Sequence, residues 1–231
     1  MNEQILSGRP LPGARLNMAH PLTKGLVGAW LLNETGGVRA MDLSPYGNHG
    51  LLTSFATPPK RSFNGLLFDG VDDYVLCTTT EADLATFTAE AWFNPSTTVV
   101  AQYNLIGHGS SPTDNGWNFA QNGTGLRITF AGVGNYDSTA DILSVGKWYQ
   151  GLMTLLGTTA TFYLNGQLIN SAATGTLAVA THKYALGATP GGATLFGGFI
   201  ALARVYNRVL NATEIKQLYQ DPYGMILKRE D

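Results

Sequence analysis

Cys77 is the only cysteine in the 231 residues, which excludes any disulfide within the chain. Its setting, YVLC, reads as a strand, where a small apolar residue suits a buried position. No neighbouring base marks it as a nucleophile. Charge is scarce as well, at 13% of residues. Long surface helices draw on Lys, Glu and Arg, so this composition does not suit a helical protein. A net charge of −2 offers no electrostatic footprint for nucleic acid, and no basic run suits a membrane surface. Neither a bilayer-length apolar stretch nor a charged-then-apolar leader is present, so synthesis in a cytoplasm without a signal peptide is expected. The four histidines, His20, His49, His108 and His182, form no H-x-H or H-E-x-x-H pair, and G-x-S-x-G is missing.

What is abundant is glycine, with 28 residues, alongside Thr, Ser and Asn. That is the composition of a turn-rich β protein. From Gly25 onward the apolar period is two. LVGAW reads as a strand. LRITF sets Leu126, Ile128 and Phe130 against Arg127 and Thr129, and FTAEAWF sets Phe87, Ala89, Ala91 and Phe93 against Thr88, Glu90 and Trp92. Asn165-Gly166 between apolar runs predicts a hairpin, because both turn positions favour positive φ. FIALARVY is apolar throughout, as in a strand covered on both faces. One helix is expected in NATEIKQLY: Asn211 caps it, Glu214 completes a capping box, and Asp221-Pro222 ends it. Three stretches follow: an extended N-terminal arm at 1–22, one sandwich domain at 23–222 and a tail at 223–231.

In LLFDGVDDYV, Asp69, Asp72 and Asp73 crowd five positions. Asp-Gly turns a chain cheaply, and the remaining acids accept hydrogen bonds from loop amides. Calcium is a second reading of the same acids, although their spacing is not that of an EF-hand loop.

The segments GLVGAWLLNE, DLSPYGNHG, LLFDGVDDYV, FTAEAWFNP, GKWYQGLMTL, TFYLNGQLI and GGFIALARVYNRVLNATEIKQLY resemble, in order, the laminin-G-like group of the concanavalin A-like lectin/glucanase superfamily. The resemblance covers residues 25 to 219. It implies an all-β fold, a two-sheet antiparallel jelly-roll sandwich with one short C-terminal helix. It also implies a structural calcium in many relatives, held near an acidic pair that here becomes Ala201 and Leu202. No cofactor or metal is therefore expected. Were a metal present, Asp42, Asp69, Asp72 and Asp73 are its ligands.

Glucanases of this superfamily carry clustered carboxylates, since glycoside cleavage needs two acids facing each other across the bond. The six glutamates here, at 3, 34, 81, 90, 214 and 230, form no such cluster. Glu90 therefore reads as structural, and no catalytic residue is expected. Sugar binding would instead draw on two loops, one offering Tyr103, His108, Asp114, Asn115 and Trp117, the other Asn135, Tyr136 and Asp137. Trp117 followed by Phe119 at period two also reads as core.

The opening HPLTKGLVGAW and the ending LYQDPYGM resemble phage and prophage members of the group. On that resemblance the chain is expected to be a non-catalytic virion decoration or appendage protein. Its partners would be other virion proteins such as the major capsid protein, with host-surface glycans second. A free carbohydrate-binding lectin is the alternative, and a hydrolase comes third. Leu11, Leu16, Met225, Ile226 and Leu227 lack an evident place in the sandwich, so the two ends are expected to fix it to neighbours in a homo-oligomer, with a trimer favoured.

Overall fold

The structure, a computed structural model, describes residues 5, 8–54, 57–82, 84–99, 101–109, 115–178 and 181–227. The outermost parts of the expected arm and tail lie outside these residues. Among the described residues the first half of the chain forms β1 Leu26–Trp30, β2 Arg39–Ala40, β3 Gly50–Thr53, β4 Lys60–Ser62, β5 Gly65–Asp69, β6 Tyr74–Ala82, β7 Thr86–Pro95 and β8 Gln102–His108. The second half forms β9 Trp117–Asn122, β10 Gly125–Phe130, β11 Gly134–Asp137, β12 Tyr149–Leu156, β13 Thr159–Leu164, β14 Gln167–Ala173, β15 Thr181–Leu186 and β16 Gly197–Tyr206. Helix α1 spans Ala212–Gln220.

The strands make two antiparallel sheets. The first runs β14-β13-β12-β7-β16-β5-β4, with β1 also on β16, and the second runs β11-β10-β9-β8-β15-β6-β3-β2. This is the sandwich that the period-two pattern and the family resemblance imply. Alternation places Phe87, Ala89, Ala91 and Phe93 of β7 inward, with Met153, Phe162 and Val205. They meet Trp117, Phe119, Leu126 and Ile128 of the second sheet, and Phe87 stacks on Trp117 at 4.4 Å. Asn165 and Gly166 take φ of 53° and 73°, the conformation that closes the β13–β14 hairpin.

The first sheet is apolar on its second face too. Trp92, Leu152, Leu202 and Tyr206 point away from the partner sheet, into another buried cluster under Ile215 and Leu218 of α1. The capping box is complete: Asn211 Oδ1 accepts from the amides of Thr213 and Glu214, and Glu214 Oε2 accepts from the amide of Asn211. Arg208 donates to both oxygens of the same carboxylate at 2.9 and 2.8 Å.

The two ends of the chain complete this outer layer, which corrects the expectation that they reach for neighbours. Leu16, Met225 and Ile226 are buried within the chain, beside Ile5 and Leu22. Leu16 and Ile226 form an antiparallel bridge, flanked by Asn17 N to Met225 O and Leu227 N to Arg15 O, both 2.8 Å. The Tyr223 hydroxyl donates to Ile5 O at 2.8 Å. Arg9 donates to the carbonyls of Phe63, Leu31 and Ala201. Only Leu11 and Leu227 of the five remain open, at 67% and 51% exposure. The cause is the sheet itself: a face carrying Trp92, Leu152 and Leu202 needs cover, and each fully buried side chain contributes about 1.5–3 kcal/mol.

Beneath that layer lies an ion pair. Glu90 of β7 and Arg204 of β16 stand directly opposite each other, Arg204 Nη1 lying 3.0 Å from Glu90 Oε2. Both are buried. Gln150 Nε2 donates to Glu90 Oε1 at 2.8 Å, and Arg204 Nη2 donates to the carbonyl of Pro222.

Two outcomes are expected. Glu90→Ala leaves Arg204 buried without its counter-charge, at a cost of about 3–5 kcal/mol, read as a lowered urea midpoint. Glu214 is held below its ordinary 4.5 chiefly by the Arg208 hydrogen bond, against a burial effect that acts the other way. Its stabilisation is therefore present above pH 4.5 and lost as pH falls through the lower folded value. Glu214→Gln should remove that acid-side loss from the pH profile of the unfolding midpoint, and lower stability at neutral pH by about 0.2–1 kcal/mol.

Candidate functional site

With the central strands of the first sheet covered on both sides, the outer face of the second offers a polar surface, exposed toward β11 and buried toward Asn104 and Asn118. The same alternation that drives Trp117, Phe119 and Ile128 inward turns Asn118, Ala120, Asn122, Arg127 and Thr129 outward. Register brings these into rows across four strands. Gln102 lies opposite Asn122, and Asn104 opposite Ala120. Arg127 lies opposite Asp137, and Thr129 opposite Asn135.

The side chains of this face bond to one another. Gln102 Nε2 donates to Asn104 Oδ1 at 2.9 Å. Thr129 Oγ1 lies 2.8 Å from both Gln102 Oε1 and Asn135 Oδ1. One hydroxyl proton serves only one acceptor, so one of the two amides turns its NH2 toward Thr129. Arg127 grips Asp137 through two bonds of 2.6 and 2.7 Å, and Asn122 Nδ2 reaches the same carboxylate at 3.3 Å.

The loop 187–194 lies along one margin of this face. Asn104 N donates to Thr194 O at 2.9 Å. The loop comes so close to β8 that a Cβ on Gly107 would stand 2.4 Å from Ala188 O, so only glycine fits there. Asn104 and Asn118 are buried at this margin, and Asn104 Nδ2 and Asn118 Oδ1 have no hydrogen-bond partner among the described residues. The arrangement is a field of amides, a hydroxyl and one ion pair, with donors and acceptors closely interleaved. It matches the chemistry of a polyhydroxylated ligand better than that of an apolar one.

The residues singled out in the sequence divide. Asn135 and Asp137 are on this face. Trp117 and His108 are not: both are fully buried, with His108 packed on Tyr184 at 4.1 Å between ring centroids. They are core because strand alternation, rather than loop position, sets their direction. Tyr136 also turns inward against Phe130, its hydroxyl accepting from Gly175 N at 2.7 Å. Tyr103 is half-buried against the inner core. Asn115 is exposed beside β9, and Asp114 lies outside the described residues. Gln102, Asn104, Asn118, Asn122, Arg127 and Thr129 were not singled out. The signal for them was the polar half of the alternation that identified the core.

The other chemistry-bearing groups are placed as follows. Asp42 is occupied by its own loop, accepting from the amides of Ala29, Ser44 and Asn48 and from the Ser44 hydroxyl. Burial drives the Cys77 thiol far above its ordinary value, so it is a filler of the inner core and not a thiolate. Glu90 is spent on Arg204 and Gln150. Asp69, Asp72 and Asp73 do converge, each offering an oxygen within 4.8 Å of the others.

A double-sheet sandwich with one polar sheet face defines the lectin-like class. The family model described as the concanavalin A-like lectin/glucanases superfamily matches residues 69–216. The chain belongs to that superfamily. Among solved structures it is similar to the sialidase of Trypanosoma rangeli in complex with sialic acid, with 18% identity and a TM-score of 0.66, over 97% of this chain and 37% of the sialidase. It is similar also to the binding domain of Paraclostridial Mosquitocidal Protein 1, at 14% identity and TM-score 0.63, over 88% of this chain and 53% of the other. The binding domain of botulinum neurotoxin serotype G matches at 18% identity and TM-score 0.63, over 86% and 51%. The chain thus spans about a third of the sialidases and half of the toxin domains. No curated protein matches it.

These likenesses correct two expectations. The virion decoration role is overturned, since the similar structures are sialidases and toxin binding domains. The exclusion of enzyme activity is overturned as well, because sialidases stand among the similar structures, including a mutant with trans-sialidase activity. At identities this low, the likeness carries the fold alone.

Trp117→Ala is expected to act on stability, costing about 3–5 kcal/mol in a urea titration, because the side chain stacks inside the core.

Proposed function

We propose that the chain is a carbohydrate-binding domain that receives its ligand on the open face of the second sheet. The observation that carries this reading is the connected run Asn104–Gln102–Thr129–Asn135, drawn from β8, β10 and β11, which leads from the buried Asn104 through half-buried Gln102 and Thr129 to the exposed amide of Asn135. Sugar hydroxyls both donate and accept, and a surface of amides and hydroxyls answers them in either sense. The two bonds of the Arg127–Asp137 pair hold further donors and an acceptor in fixed directions. The carbohydrate chemistry in the name of the Trypanosoma rangeli sialidase structure, a complex with sialic acid, is compatible with this reading.

A glycan array that includes sialylated and neutral members, followed by calorimetry on the strongest hits, tests it. Thr129→Val and Asn135→Ala each remove a hydrogen-bonding group. Each is expected to weaken binding by about 0.5–1.5 kcal/mol, roughly 2- to 13-fold in Kd, with an unchanged melting temperature. Absence of any glycan hit, or hits indifferent to both substitutions, would sink the proposal.

A further inference from the structure

The chain passes from the first sheet to the second through Asp69-Gly70-Val71-Asp72-Asp73, between β5 and β6. Gly70 takes a φ of 78°, which favours a residue without a Cβ. The acids hold the turn themselves. Asp69 Oδ1 accepts from the amides of Val71 at 2.8 Å and Asp72 at 3.2 Å. Asp73 Oδ2 accepts from Asp69 N at 3.0 Å. Asp72 Oδ1 accepts from the Ser54 hydroxyl at 2.8 Å, which ties in the end of β3.

Turn formation leaves one atom unaccounted for. Asp73 is only 3% exposed, and its Oδ1 is buried without a hydrogen-bond partner. Its other oxygen bonds only within the turn. Among the described residues, no Lys or Arg forms an ion pair with any of the three acids. The three carboxylates each place an oxygen within 4.8 Å of the others, with the charge of Lys60 nearby but no ion pair formed. A carboxylate oxygen taken from water and left unpaired is costly, and like charges gathered around it add to the cost.

We propose that Asp69, Asp72 and Asp73 bind a divalent cation of the calcium type. The donors are hard oxygens without sulfur or imidazole, which selects against zinc and copper. Calcium takes about 6–8 oxygen ligands at roughly 2.3–2.6 Å in flexible geometry, and three carboxylates completed by water and backbone carbonyls meet that need. Magnesium demands a stricter octahedron. Asp69 is exposed and Asp72 half-buried, so the ion enters from solvent, while Asp73 closes the inner side. The bound ion clamps β5 of one sheet to β6 of the other. This place is distinct from Ala201 and Leu202, which are buried in the outer core and hold no ligand atoms on their side chains.

The test uses the full chain stripped with chelator and then titrated with calcium chloride, followed by calorimetry and thermal unfolding. One saturable site with Kd of about 0.1–1 mM, the range of exposed extracellular modules, and a rise in melting temperature are expected. Magnesium at the same concentration should bind more weakly. Asp73→Asn should abolish the heat and the thermal shift, whereas Asp141→Asn, whose side chain pairs with Thr124 on another loop, should leave both intact. If Asp73→Asn does not fold, Asp69→Asn and Asp72→Asn, at more open positions, carry the same expectation. No calcium response up to about 10 mM, a tenfold margin over that range, overturns the proposal. So does a response that survives in all three variants. Because the turn lies apart from the amide face, glycan binding measured in chelator is scored separately and is unaffected by either result.

Discussion

Everything on the outer side of the first sheet is organised around one buried charge. Arg204 lies toward the C-terminal end of β16, opposite Glu90, and both are closed off from water. Such a pair adds little net stability over apolar residues of the same volume, but any arrangement that uncovers or unpairs one member is penalised heavily. Arg204 also donates to the carbonyl of Pro222, just beyond α1. The guanidinium therefore fixes where the chain goes after the helix, and Tyr223, Met225 and Ile226 follow from there into the outer core. The N-terminal stretch depends on this in turn, since Leu16 bridges Ile226 and Ile5 O accepts from Tyr223.

That cover gives the two sheets unequal fates. The central strands of the first are sandwiched between the inner core and the layer of α1 and the clasped ends, while its edge strands β14 and β4 stay more open. The second has one face in the core and the other polar. Antiparallel sheets commonly keep such a wetted face, and here amides of β8 and β11 are joined through the Thr129 hydroxyl of β10. A face of this kind is pre-organised: its side chains are already held in place, so less conformational freedom is lost when a ligand arrives.

The loop 187–194 and the Asp69–Asp73 turn lie at two margins of the second sheet, and each leaves a buried polar atom without a partner. At the first margin the atoms are an amide nitrogen and an amide oxygen, Asn104 Nδ2 and Asn118 Oδ1, which suits a neutral hydrogen-bonding ligand. At the second it is a carboxylate oxygen amid two further acids, which suits a cation. The difference in atom type is what separates the two proposals.

Local pattern was enough for much of the fold. Alternation in FTAEAWF and LRITF, Asn-Gly at 165–166, and the Asn211–Glu214 capping box each act over a few residues, so each is legible in the chain order alone. The same alternation held the core assignment of Trp117 and the polar face beside it. What the sequence could not assign was the partner of each second face. Trp92, Leu152, Leu202, Leu16, Met225 and Ile226 are all apolar, but their meeting depends on contacts between residues up to about two hundred positions apart. Period-two reading is silent on such distances. For the same reason His108 and Tyr136 read as loop ligands when they are strand residues facing inward, since short strands bounded by glycine carry too few positions to declare a face. The residue types and their local directions were determined by the sequence. Which apolar face found which cover, and so which polar face stayed open, was decided only by the tertiary structure, because burial is a property of the assembled layers and not of any one strand.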